Sequence, residues 1–68
     1  MAQQTYTVTG MTCEHCVRSV TEEVGALSGV TDVAVDLPTG EVTVTSDQEL
    51  GVDDVRAAVE EAGYKLTA

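Results

Sequence analysis

Sixty-eight residues make one small domain, and its core must be thin, because the apolar residues are chiefly Val, Ala and Leu with no Phe or Trp. Twelve acidic residues against three basic ones give a formal charge of −9. A field of that sign repels nucleic acid and anionic membrane and favours cations and basic protein surfaces. No apolar run approaches the length of a membrane span, so direct membrane insertion is not expected.

The elements follow in chain order. Thr5-Tyr6-Thr7-Val8-Thr9 alternates polar and apolar residues, as a strand with one buried face does, and Gly10 breaks it. From Glu14 onward, Val17, Val20, Val24 and Leu27 recur at steps of three and four, which predicts an amphipathic helix closed by Gly25, Ser28 and Gly29. Val33, Val35 and Leu37 alternate with polar or small residues, giving a second strand. The run "LPTGE" is a turn, because Pro38 presets its own φ and Gly40 can reverse the chain. Val42 and Val44 mark a third strand, completing a hairpin. After the polar loop "SDQELG", Val52, Val55, Val59 and Ala62 predict a second helix, with Asp53 and Asp54 favourably placed in its first turn. Gly63 ends it, and Tyr64 to Thr67 reads as a short last strand.

Strand, helix, strand, strand, helix, strand is the split βαβ order of the ferredoxin-like class. "VTEEVG" in the first helix echoes "VEEAG" in the second, a loose internal repeat. The expected architecture is α+β, a four-stranded antiparallel sheet with both helices on one face. Residues 1–68 then form a single domain. The open sheet face carries mostly Thr with Asp32 and Asp36. It lacks the stacked aromatics by which RNA-recognition domains of this topology bind bases, and a nucleic-acid partner is excluded.

"GMTCEHC", residues 10–16, holds the chemistry. In this layout Cys13 sits in the loop after the first strand and Cys16 in the first turn of the first helix. A helix N-terminus, carrying roughly half a positive charge, favours thiolates there. Two converging thiolates suit a soft cation that accepts few ligands, and Cu(I) fits best. Structural zinc wants four ligands, and His15 and Glu14 lie between the cysteines, poorly placed to complete them. Two ligands leave room for an incoming thiolate, so a held metal can be handed on. His15 stands either as a third ligand, as a modulator of affinity or metal-linked association, or as an exposed loop residue. A two-cysteine redox site is the other chemistry open to this spacing, although the chain is short for a thioredoxin-like enzyme.

The motif resembles the Gly-Met-x-Cys-x-x-Cys signature of the heavy-metal-associated domain family, and the likeness extends through "GVTDVAVDL" and "AVEEAGY" over essentially the whole chain. The whole chain looks like the small cytoplasmic copper chaperones of bacteria in that family. The resemblance implies Cys13 and Cys16 as Cu(I) ligands; Met11 could offer its thioether, but a Met before such a loop more often tucks into the core and fixes the loop. It also implies that Tyr64 belongs to the loop approaching the metal, where a Tyr would shield the cysteines or donate its hydroxyl; the other reading makes it simply the first core aromatic of the last strand. The implied partners are the soluble metal-binding domains of a copper-transporting P-type ATPase, or a copper-responsive regulator. A copper-bridged homodimer of an otherwise monomeric apo-protein is a further expectation. A carrier of zinc, cadmium or mercury, or a domain excised from a transporter, is the alternative. No enzymatic activity is expected. The lack of a basic segment followed by an apolar run predicts a cytoplasmic protein, and the chain ends favour a free-standing one.

Overall fold

The computed structural model describes residues 2–67. Its elements are β1 (Ala2–Thr9), α1 (Glu14–Gly25), β2 (Val30–Asp36), β3 (Glu41–Ser46), α2 (Val52–Glu61) and β4 (Lys65–Leu66). The strands form one antiparallel sheet in the order β2-β3-β1-β4. This is the ferredoxin-like βαββαβ arrangement that the hydrophobic pattern predicts.

Register decides which side chains meet. Tyr6 pairs with Val42 and Gln4 with Val44, while Val35 and Val33 meet the same two valines from β2. These inward positions join Val20 and Val24 of α1 and Val55, Ala58 and Val59 of α2 in a single core. Both helices therefore cover the same face of the sheet. Six of the valines in this core are fully buried, and each contributes about 1.5–3 kcal/mol through the area it removes from water. The opposite face is polar: Thr5 and Thr43 face each other there, their hydroxyl oxygens 3.4 Å apart.

Several boundaries move from the sequence expectation. β1 begins at Ala2 instead of Thr5, because Gln4 is an inward residue in disguise. Its amide Nε2 donates to the Leu50 carbonyl at 3.3 Å, and its Oε1 accepts from the Leu50 N–H at 3.0 Å. A polar side chain thus closes the lower end of the core and fixes the loop before α2. β2 begins at Val30, and a bulge between Val30 and Asp32 shifts the register. That extra residue lets both Val30 and Val33 face the core, although they are out of phase for a regular strand.

In α1, Cys16 takes the buried place at the start of the helix and Val17 is only half-buried; Leu27 lies beyond the helix end, packed against the core. Val52, counted on the apolar face of α2, is 44% exposed at the first helical position. β4 comprises only Lys65 and Leu66, so Tyr64 precedes the strand.

The hairpin turn depends on Gly40. Its N–H donates to the Asp36 carbonyl and its carbonyl accepts from Val8, both at 2.8 Å. It holds φ at +75°, and a Cβ there would lie 2.6 Å from the Val8 carbonyl oxygen. Only glycine fits without displacing backbone.

Candidate metal centre

The loop from Gly10 to Cys13 carries the chain from β1 into α1. Met11 is half-buried and packed against the core, which anchors the loop from below and leaves its thioether among apolar neighbours. Thr12 and Cys13 are exposed. Cys13 is the N-cap of α1, with extended φ and ψ of −157° and 170°. Its carbonyl accepts the first helical hydrogen bonds, from Cys16 N–H at 3.1 Å and Val17 N–H at 3.2 Å. The Cys13 side chain does not cap the helix, so its sulfur is left for other partners.

Three residues on, Cys16 turns inward and is 9% exposed. The two sulfurs lie 3.4 Å apart. That is far longer than a disulfide bond of about 2.05 Å, and both cysteines are free. One cation can touch both sulfurs across this gap, since metal–thiolate bonds run about 2.3 Å. Thr12 Oγ1 approaches the Cys16 sulfur at 4.0 Å.

These surroundings favour a thiolate at Cys16. Its pKa falls from 9.0 to about 6, chiefly through hydrogen bonding from the Tyr64 hydroxyl, then from the Thr12 backbone and the Cys13 side chain; burial works in the opposite direction. The Tyr64 phenol is pushed up in turn, first by hydrogen bonding to Cys16, then by burial and by the charge of the two cysteines. A phenol kept protonated beside a thiol kept ionised is the mutual arrangement that a hydrogen-bonded acid pair adopts.

His15 is exposed, and its carbonyl accepts a hydrogen bond from Ser19 Oγ at 3.2 Å. Glu14 is exposed as well. Among the described residues, no three His, Cys, Asp or Glu side chains converge as a metal-binding group. The structure brings the Cys13 and Cys16 sulfurs together at the start of α1, with Tyr64 lowering the Cys16 pKa and Met11 packed against the core. Gly10, the strand breaker at the head of the cysteine motif, has its Cβ position 3.2 Å from Cδ1 of the Tyr64 ring, a contact that its place in the motif alone does not reveal.

A ferredoxin-like domain that presents two thiols, one exposed and one buried, at the N-terminus of its first helix is built to grip a soft cation at its surface. The chain belongs to the heavy-metal-associated domain family, whose model matches residues 5–65. It is 45% identical over 67 residues to the copper chaperone CopZ of Bacillus subtilis, covering 97% of each chain. It is 36% identical over 63 residues to a probable copper-exporting P-type ATPase of Archaeoglobus fulgidus, matching 91% of this chain but 8% of the ATPase. Among solved structures, a CopZ metallochaperone superposes with a TM-score of 0.90 at 33% identity, covering 97% of this chain and all of that one.

Proposed function

We propose that this protein is a copper chaperone that takes one Cu(I) between Cys13 and Cys16 and passes it on by thiolate exchange. The observation that carries the reading is the sulfur pair itself. Two free thiols 3.4 Å apart, one of them favoured as a thiolate, form a soft two-donor site with no third donor group converging among the described residues. Low coordination and soft donors select Cu(I) over zinc, calcium or magnesium.

Release follows from the same geometry. An acceptor thiolate can reach the metal on the exposed Cys13 side, so that a new metal–sulfur bond forms before an old one breaks. The cation is never free. Such a protein is a carrier, working in the cytoplasm, and the similarity to one segment of a copper-exporting ATPase supports a metal-binding domain of such a pump as its partner. The same open side admits a copper-responsive regulator or a second copy of this chain, giving a copper-bridged homodimer.

The deciding experiment is an anaerobic Cu(I) titration of the reduced protein against a chromophoric competitor, with elution volume followed in parallel. One tightly held copper per chain, lost in Cys13→Ser/Cys16→Ser, is the expected result. Half a copper per chain at a dimer's elution volume identifies bridging. A chain that cannot compete for copper yet retains zinc, cadmium or mercury, or that reduces a disulfide substrate, overturns the assignment.

A further inference from the structure

The ladder between β1 and β4 pairs Val8 with Leu66 and Thr9 with Lys65. The next rung in that register sets Gly10 opposite Tyr64. Gly10 leaves the strand there at φ +95°, and a Cβ placed on it would lie 3.2 Å from Cδ1 of the Tyr64 ring. Carbon atoms in ordinary contact sit about 3.5–4.0 Å apart. The ring therefore occupies the space that a side chain at position 10 would need, an aromatic lying against a glycine across a strand pair.

The tyrosine backbone has little freedom to yield. Gly63, at φ +95°, ends α2 in a Schellman motif: the Tyr64 N–H donates to the Val59 carbonyl at 3.1 Å and the Gly63 N–H to Glu60 at 2.9 Å. On its other side Lys65 is already paired with Thr9. With the backbone held from both directions, a substituent on Gly10 must be answered by the ring. That ring packs against the core and lies on Gly10, at the head of the loop that carries the cysteines; its hydroxyl is also the largest cause of the lowered Cys16 pKa.

We infer that Gly10 is a positioning residue for the metal centre: its missing side chain seats the Tyr64 ring on the loop, and the seated ring holds the Cys16 side of the site closed and slows loss of copper. The inference rests on the copper-carrier reading. Gly10 touches neither sulfur and acts only through Tyr64.

A double-mutant cycle tests this, with two readouts. In the apo-protein, nuclear Overhauser contacts between the Tyr64 ring and residue 10 report the seating without any metal. With copper bound, transfer to excess chelator is timed in the parent, Gly10→Ala, Tyr64→Ala and the double variant. Gly10→Ala is expected to lose the ring contact and release copper about three- to tenfold faster, the effect of weakening one hydrogen bond. The double variant is expected to be no faster than Tyr64→Ala alone. Gly10→Asn carries the same Cβ in a residue that tolerates positive φ better, and it should reproduce the effect if Gly10→Ala folds poorly. Additive effects, or an unmoved ring in Gly10→Ala, overturn the inference by leaving backbone strain as the cause. A parent chain that binds no copper refutes the carrier reading instead, and the apo-protein contacts still decide where the ring sits.

Discussion

The Cys13 and Cys16 sulfurs are 3.4 Å apart and yet occupy different media, because Cys13 faces solvent at the helix cap while Cys16 is buried under the loop. This asymmetry divides labour within the pair. On the proposed carrier reading, the buried thiol, favoured as a thiolate, would hold the cation, and the exposed thiol would be the one an acceptor displaces.

The asymmetry has a signature in pH. The Cys16 thiol ionises at about 6 in the folded chain against 9.0 for an ordinary cysteine, so thiolate absorbance of the reduced apo-protein should show a step near pH 6. Tyr64→Phe removes the largest cause and should move that step upward. Between pH 6 and 9 the unfolded chain binds more protons than the folded one, so stability rises with pH there. The contribution is complete above the unfolded value and is lost as pH falls through about 6. Urea midpoints of reduced protein across this window should climb with pH, and Cys16→Ser should flatten that trend. A flat profile in the parent would contradict the depressed thiol.

His15 gives a second test. Its exposed side chain and the lack of a third converging donor among the described residues count against direct ligation, and the test is whether it modulates the site. His15→Ala should keep one copper per chain, while changing copper affinity or copper-linked association between about pH 6 and 8. Competition titrations at both ends of that range, with elution volumes, check it. Identical affinities and elution volumes in parent and variant would leave the histidine without a part.

The topology could be read from the sequence because Tyr6, Val8, Val20, Val24, Val42, Val44, Val55 and Val59 keep strict periods of two or of three and four. Each stands where its period puts it. What escaped was set by contacts that no period records. Gln4 looks like a polar residue outside a strand until its amide is matched to the backbone of Leu50, 46 positions away. Val30 seems out of phase until the bulge at Thr31 is known. Val52 fits the helical spacing but sits in the first turn, where α2 has no neighbour to cover it. At the site, the cysteine pair was legible from spacing and helix position. The Gly10–Tyr64 rung was not, since it exists only once β1 and β4 are in register.

Two glycines predict opposite signs. A Cβ on Gly40 meets the Val8 carbonyl oxygen at 2.6 Å, with φ at +75°, so Gly40→Ala combines backbone strain with a clash against a strand and should cost about 2–4 kcal/mol. Gly25 ends α1 without a positive φ and with nothing within 4 Å of its Cβ position. Gly25→Ala should therefore stabilise by about 0.5–1 kcal/mol, by restricting the unfolded chain and improving helix propensity. Denaturant unfolding of the two variants beside the parent reads both signs. Equal shifts would mean that the turn at Gly40 relaxes more freely than its hydrogen bonds to Asp36 and Val8 imply.

Charge sets the last prediction. Glu22, Glu23, Asp53, Asp54, Glu60 and Glu61 are all exposed on the helices, and the net charge is −9. The ion pair between Arg56 and Asp53, at 3.0 Å, neutralises one of these acids locally, but an exposed pair of that kind contributes little. The helix face should therefore meet a partner through a basic surface, steering encounter more than holding the complex. Association with an acceptor domain of basic surface should slow about tenfold as ionic strength rises from about 20 to 200 mM, with dissociation much less affected. Glu22→Lys/Glu23→Lys should lower the association rate at low salt and weaken its salt dependence. Stopped-flow mixing with a labelled acceptor domain separates the two rates. Association indifferent to salt would show that the acids serve solubility alone, and docking would then have to rest on the half-buried residues around the cysteine loop.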